Sequence, residues 1–158
     1  DLQDVVAGRV ADVPISGLAD GDYVAIVSAN VEIAASMNIS RVVAGNNPPS
    51  DFALLTAAEP ATSERAIRVP TSGISKLSFV NADSKSNTVS LRVDEKTLTF
   101  ELSDADSKVI EVKPGALVSF SSTRPVAAAM VIDLDGAFTS LPITDYKNLA
   151  EKVLVSVR

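Results

Sequence analysis

The chain has 158 residues, of which 46% are hydrophobic and 4% aromatic, and its formal net charge is −6. It contains no cysteine, histidine or tryptophan, which excludes disulfides, thiolate metal sites and the common histidine general base. The acidic balance argues against binding to nucleic acid or to an anionic membrane surface. No apolar run approaches the roughly 20 residues that a membrane-spanning helix needs, so we expect no membrane insertion by this chain.

The N-terminal half is a series of short apolar-polar alternations separated by turns. The pattern predicts strands over 2–10, 23–28, 31–44, 52–57 and 66–69, with a short extended piece over 13–18. Asp20, Gly21 and Asp22 indicate a turn. The strongest loop signal in the chain is the run 45–50, GNNPPS.

The C-terminal half alternates more regularly, and it predicts strands over 74–81, 88–93, 97–102, 108–112, 116–121, 126–134 and 138–143. Pro114 and Gly115 are the usual central pair of a type II turn. One short helix is predicted over 145–152 and a final strand over 153–157. Short strands with a turn signal about every ten residues predict an all-β fold. We expect an antiparallel two-sheet β-sandwich with immunoglobulin-like architecture.

The stretch 19–39 repeats the pattern of the stretch 113–134, and an internal repeat of this kind indicates two related β units. The first three matched pairs share one constant offset, and the last four share another after one skipped residue. The pairs are Gly21 with Gly115, Val24 with Val118, Ser28 with Ser122, Ala34 with Ala127, Ala35 with Ala128, Met37 with Met130, and Ile39 with Ile132.

The internal repeat predicts a first β unit over residues 1–73 and a second β-sandwich unit over 74–158. The two units can pack as one body. Residue 1 aligns near Asp94 or Glu95, so the first unit lacks counterparts of 74–93. Our hypothesis is that a strand over 152–157 folds back to complete it, because an unpaired sheet edge favours aggregation. The chain begins at Asp1 without a methionine, so we expect a mature fragment or an excised piece.

Asp133, Leu134, Asp135 and Gly136 resemble half of a calcium-binding loop. Alternate carboxylates in a tight turn can serve a cation that prefers six or more oxygen ligands. Asp133 and Asp135 are therefore the candidate metal ligands, and Ca²⁺ is the one cofactor that the sequence indicates. The alternative is a plain hairpin turn, because the downstream bidentate glutamate is missing.

A second acidic group consists of Asp83, Asp104 and Asp106. The simpler interpretation is a solvated loop. If the loops at one end of the sandwich converge, the three carboxylates could instead form a calcium site.

Catalytic patterns are absent from the sequence: there is no Gly-x-Ser-x-Gly motif and no glycine-rich phosphate loop. Two carboxylates could cleave a glycoside, but a sugar site usually offers aromatic platforms, and the tyrosines are only Tyr23 and Tyr146. We therefore expect no catalytic residues and no enzymatic activity. A carboxylate-based hydrolase stays as an alternative.

The run VxPGxxVxFSSxxPVAAAMVID over 112–133, with an asparagine after the first strand of that unit (SFVN, 78–81), resembles an uncharacterised actinobacterial family. Its members are secreted or envelope-anchored proteins with tandem β-sandwich repeats. The resemblance covers about 20–143 and rests on turn and strand positions. It implies an extracytoplasmic location and an interaction or scaffold role, with no catalytic residues to transfer.

From these observations we expect a non-catalytic extracytoplasmic module that acts as a cell-surface scaffold, spacer or protein-protein interaction domain. Its expected partner is a protein or another cell-envelope component, and not a nucleic acid. The alternative is a carbohydrate- or calcium-dependent adhesion module, with its site in loops at one end of the sandwich.

Overall fold

A computed structural model describes residues 5–19, 21–42, 50–134 and 137–144. The described residues form ten strands and no helix, in agreement with the predicted all-β class. The strands are β1 (Ser36–Val42), β2 (Ser50–Thr56), β3 (Arg65–Arg68), β4 (Ile74–Asn81), β5 (Asn87–Val93), β6 (Lys96–Leu102), β7 (Ser107–Val112), β8 (Leu117–Ser122), β9 (Val126–Leu134) and β10 (Ala137–Pro142). No described helix is long and apolar enough to cross a membrane.

Two four-stranded antiparallel sheets pack together as a β-sandwich. One sheet has the order β10-β9-β4-β7 and the other β3-β8-β5-β6. Strands β4 and β5 lie inside their sheets, where each pairs with a neighbour on both sides. The link between β4 and β5 carries the chain from one sheet to the other, and so does the link between β8 and β9.

The core lies between the sheets because successive side chains of a strand point to opposite faces. In β9, Val126, Ala128, Met130 and Ile132 are buried while the residues between them are partly exposed. Phe79 occupies the centre, in edge contact with Phe100 and Phe120 at centroid distances of 5.5 and 5.0 Å. Three of the five phenylalanines are thus concentrated at one point of an otherwise aliphatic core.

The strands predicted between residues 74 and 143 lie within about one residue of the observed ones. The predicted turn at Pro114-Gly115 is confirmed. The Ala116 amide donates to the Lys113 carbonyl at 3.2 Å, and Gly115 has φ +77°, which matches the positive φ required at the third position of a type II turn.

The strands predicted over 2–10 and 23–28 are wrong where the structure describes them, because residues 5–10 and 23–28 form no strand. The prediction over 31–44 is correct only from Ser36 onward. The alternation of apolar and polar residues indicates which side chains can share a face. A strand also needs a neighbouring strand for its backbone hydrogen bonds. In the described part of the chain, these segments have no such neighbour.

Strands β1 and β2 form a separate hairpin, with Ser36 opposite Thr56 and Val42 opposite Ser50. Strand β2 lies beside β10, where the Asp51 carboxylate accepts a hydrogen bond from the Phe138 amide at 2.8 Å. A two-stranded hairpin is marginal on its own, so its position depends on the sandwich.

Strand β3 belongs to the predicted first unit but pairs with β8 of the predicted second unit. The division into 1–73 and 74–158 stays a prediction. The predicted helix over 145–152, the predicted strand over 153–157 and most of the predicted loop over 45–50 lie outside the described residues.

Replacing Gly73 by alanine should destabilise the sandwich strongly. Gly73 has φ +79°, and an added Cβ would lie 2.6 Å from the Asp133 carbonyl oxygen. A left-handed backbone costs a non-glycine residue about 1–2 kcal/mol, and the backbone contact adds to that cost. We expect Gly73→Ala to lower the free energy of unfolding in urea by at least about 2 kcal/mol.

Gly115→Ala is the matched control, because Gly115 has a similar φ of +77° and its nearest neighbour would be the Thr71 methyl at 3.7 Å. Gly115→Ala should therefore lower the free energy of unfolding only by the cost of the left-handed backbone, about 1–2 kcal/mol. Equal destabilisation by the two variants would contradict the close approach at Asp133.

Candidate interaction surfaces

The guanidinium of Arg65 is buried and connects several strands, so its role is structural and it does not form a ligand-binding site. Only 2% of Arg65 is exposed, and it donates to the carbonyls of Ile143, Ala61 and Val126 at 2.9, 2.9 and 2.7 Å. Its central carbon lies 4.8 Å from the centroid of the Phe120 ring. Arg65 therefore ties β3 to the start of β9 and to the end of β10.

Two buried asparagines fix the corner where the chain passes from β4 to β5. The Asn81 side chain donates to the carbonyls of Lys85, Leu102 and Ser103. The Asn87 side chain donates to the Arg124 carbonyl at 3.0 Å and accepts from the Arg124 amide at 3.0 Å. Both amides hold turns in place, so their role is structural.

Two members of the predicted acidic group of Asp83, Asp104 and Asp106 make local contacts. Asp83 forms an ion pair with Arg124 at 3.2 Å, and the Asp106 carboxylate accepts from the Ser107 amide at 2.7 Å. In the part of the chain that the structure describes, no three acidic side chains are grouped so as to hold a metal ion.

Asp133 lies near the end of β9, with Ile74 of β4 on one side and Phe138 of β10 on the other. Its side chain is half-buried on the outer face of that sheet. Asp135, its predicted partner in binding Ca²⁺, lies outside the described residues. The calcium site at Asp133 and Asp135 therefore stays a prediction.

The outer face of the β3-β8-β5-β6 sheet is mostly polar. It contains a depression of about 160 Å³ lined by Glu64, Ser90, Arg92, Thr97, Ser119, Phe120 and Ser121. The Arg92 side chain donates to the Asp94 carbonyl at 2.9 Å. Small-molecule sites usually measure about 300–1,000 Å³ and are mostly apolar, so this depression does not resemble one.

Exposed apolar side chains are concentrated instead in residues 5–35, which we call the N-terminal segment. They are Val5, Val6, Val10, Val13, Ile15, Leu18, Tyr23, Val24, Ile26, Val27, Val31 and Ile33. The segment is anchored to the sandwich where Lys76 of β4 forms an ion pair with Asp22 at 2.9 Å. Exposure of so many large apolar side chains along one segment is typical of a surface that another molecule covers.

The hairpin adds a second apolar surface. Phe52 and Leu54 of β2 are 71% and 61% exposed, and they lie on one side of the hairpin opposite Ser40 and Asn38. We call this side the hairpin face. Its other side, which includes Ala53, is more buried.

The sequence pattern predicted strands over 2–10, 23–28 and 31–44 in the N-terminal segment and did not predict the exposure of its apolar side chains. It gave no role to Arg65, because an arginine in a short strand usually marks the solvent side. No sequence signal identifies a buried arginine whose partners are backbone carbonyls distant in the chain.

A family model described as a family of unknown function (DUF5719) matches residues 1–129. This range covers most of the chain, and the chain therefore belongs to that family. It includes the N-terminal segment, the hairpin and all the sandwich strands up to the first part of β9. No curated protein and no solved structure matches the chain. The actinobacterial origin and the tandem arrangement stay predictions.

Removing the guanidinium of Arg65 should destabilise the sandwich, because the Ile143 carbonyl would lose this donor, while the Ala61 and Val126 carbonyls would keep only the backbone amides that they also accept. An unsatisfied buried group costs about 1–3 kcal/mol. We expect Arg65→Met to lower the free energy of unfolding by about 2–4 kcal/mol, measured by urea denaturation. Arg68→Met is the control, since Arg68 is exposed and, within the described residues, donates to the Gly115 carbonyl alone, at 3.0 Å. A loss of equal size in the control would contradict this role.

The calcium hypothesis predicts a higher melting temperature in Ca²⁺ than in chelator. A ligand at a hundredfold excess over its Kd stabilises the native state by about 2.7 kcal/mol. Asp133→Asn should abolish the shift, while Asp104→Asn, a change in the other acidic group, should preserve it. An unchanged melting temperature of the natural chain in millimolar Ca²⁺ would exclude the site.

Proposed function

We propose that this member of a family of unknown function is a non-catalytic extracytoplasmic module that works by contact with another protein. The observation that supports the proposal best is the apolar surface of the N-terminal segment and the hairpin face. The β-sandwich carries these surfaces through the contact of β2 with β10 and the ion pair of Lys76 with Asp22. A scaffold or spacer role follows from the same arrangement.

The hairpin face has the chemistry of an interface centre. Aromatic side chains are enriched at such centres, where they are surrounded by polar residues. Phe52 and Leu54 lie among Asn38, Ser40 and Thr56 on the same side of the hairpin. Burial of a phenylalanine or leucine side chain stabilises a complex by about 1.5–3 kcal/mol.

The non-catalytic part of the proposal rests on chemistry. Without histidine or cysteine, an active site would depend on carboxylates, lysine or tyrosine. The acidic side chains Asp83 and Asp106 already serve structural contacts. The extracytoplasmic location rests on the resemblance to secreted and envelope-anchored proteins.

Charge on the hairpin face should weaken partner binding. We expect Leu54→Asp to reduce the affinity for a cell-envelope protein fraction by at least about tenfold, because loss of a buried leucine contact costs more than 1.4 kcal/mol. The measurement is binding of the labelled chain to the immobilised fraction. Ser119→Asp changes the polar outer face of the β3-β8-β5-β6 sheet, and we expect this variant to bind as the natural chain does. Absence of binding by the natural chain, or equal binding by both variants, would refute the proposal.

A further inference from the structure

The four outer strands of the sandwich differ in how their free edges are protected. A sheet edge presents unpaired backbone groups, and proteins usually shorten it, cover it or place a charge on it. Strand β3 has only four residues. Strand β10 lies beside β2, and the Asp51 carboxylate accepts a hydrogen bond from the Phe138 amide. Strand β7 places the charged Lys108 on its core-facing side, and the Asp106 carboxylate accepts from the Ser107 amide.

Strand β6 lacks these protections. It is seven residues long, contains no proline or glycine, and pairs residue for residue with β5. Among the described residues it pairs with no other strand, and its charged residues, Lys96 and Glu101, lie near its two ends. Leu98 is 47% exposed, whereas Phe100 and Leu102, on the same core-facing side, are buried. The apolar side of β6 is therefore only partly covered.

The hydrogen bonds of β5 show which amides of β6 face the open edge. Asp94, directly after β5, donates its amide to β8, and the Thr88 carbonyl accepts an amide from the residue after β8. Because the backbone groups of neighbouring residues in a strand point to opposite sides, the odd-numbered residues of β5 bond to β6. Their partners there are the even-numbered residues. The amides of Thr97, Thr99 and Glu101 therefore face outward, and no hydrogen bond between described residues uses them.

We propose that β6 binds an extended segment of a partner protein, which adds to the open edge as a fifth strand of the β3-β8-β5-β6 sheet. In this mode of peptide recognition, backbone hydrogen bonds give affinity and alternate side chains give specificity. The free amides of Thr97, Thr99 and Glu101 would donate to the added strand, and one of its apolar side chains would cover Leu98. This surface is separate from the hairpin face, so the inference does not depend on the proposed function.

Two lysines determine the charge of the added segment. Lys96 begins β6, and Lys108 of β7 lies 5.3 Å from the centroid of the Phe100 ring. Leu98 lies between Lys96 and Phe100 on the core-facing side of β6. Opposite charges on neighbouring strands attract and like charges repel. The segment that fits this edge therefore carries an acidic, an apolar and an acidic residue at every second position.

A second copy of the chain does not provide such a segment. Antiparallel pairing of two β6 strands would bring Lys96 and Lys108 of both copies to one junction, where like charges are destabilising. The other core-facing residues of β6 are apolar, namely Leu98, Phe100 and Leu102. They offer no negative charge to compensate the four lysines. The charges of this edge thus favour a separate partner with acidic side chains.

Strand β6 lies on the opposite side of the sandwich from the hairpin. Arg65 of β3 donates to the Ile143 carbonyl after β10, whereas Lys108 of β7 lies over the Phe100 ring of β6. Strands β3 and β10 thus share one side of the sandwich, and β6 and β7 share the other. A chain that binds one partner at the hairpin face and another at β6 would hold the two together.

The test measures hydrogen exchange of individual backbone amides by NMR in the full chain, with and without a synthetic peptide. The peptide SETVTES has the acidic-apolar-acidic pattern, and the control peptide SKTVTKS has lysine in place of both glutamates. With millimolar SETVTES, we expect exchange at Thr97, Thr99 and Glu101 to slow by at least about tenfold, because these amides enter a ladder. Exchange at Val109 and Glu111, on the edge strand β7, should stay unchanged. SKTVTKS should give no protection.

Thr99→Pro tests the hydrogen bonds of the edge. Proline removes an amide that no ladder uses, and it is tolerated on edge strands where the amide faces solvent. We expect Thr99→Pro to abolish the protection of Thr97 and Glu101 by SETVTES. Val109→Pro makes the matched change on β7 and should preserve that protection. A thermal melt of each variant shows whether it is folded.

A charge reversal tests the two lysines without changing the backbone. In the double variant Lys96→Glu with Lys108→Glu, SETVTES should give no protection and SKTVTKS should now protect Thr97, Thr99 and Glu101. This exchange of specificity decides the question if Thr99→Pro does not fold. Protection of the double variant by SETVTES, or by neither peptide, would refute the role of the lysines.

The free chain provides a further check. Slow exchange at Thr97, Thr99 and Glu101 without peptide would refute the open edge. Exchange that slows as the concentration of the chain rises would show pairing of two copies and would refute a separate partner. Equal protection of the natural chain by the two peptides, or by neither, would refute an acidic added strand. None of these results changes binding at the hairpin face, which Leu54→Asp tests separately.

Discussion

A β-strand is stable only beside another strand, and in this molecule the central strands β4 and β9 satisfy that requirement in one sheet and β5 and β8 in the other. Each presents hydrogen-bonding groups on its two edges, and each places apolar side chains in the core. Each outer strand pairs with one of these four. Arg65, Asn81 and Asn87 act at the borders of this arrangement, where they supply donors to carbonyls that no ladder reaches.

The same requirement explains which predictions were correct. Between 74 and 143, alternation and turn residues agree with the observed strands, because every strand there has a neighbour of matching pattern. Over 23–28 the alternation is similar, yet no strand forms in the structure. Residues such as Val24 and Ile26 specify a face, but only residues distant in the chain decide whether a neighbour is available.

The candidate surfaces were harder to predict than the fold. The hairpin face combines Phe52 with Asn38, and their proximity depends on the register of β1 and β2. The role of Arg65 depends on carbonyls of Ala61, Val126 and Ile143, which come together only in the folded state. Turn residues such as Gly115 could be predicted because their conformation is a local property.

The order of strands also determines when the sandwich can form during synthesis. Strand β3 emerges early, but its neighbour β8 follows about fifty residues later, and β4 similarly precedes its neighbour β9. Contacts between residues so distant in sequence make folding slow, and they leave apolar strands exposed to aggregation in the meantime. Because β8 and β9 follow β3, β4 and β5 in the chain, the core closes only after synthesis has reached the end of β9. A chain truncated before Val126 would retain all four strands of the β3-β8-β5-β6 sheet but only β4 and β7 of the sheet that faces it, so one side of the core would stay open to water.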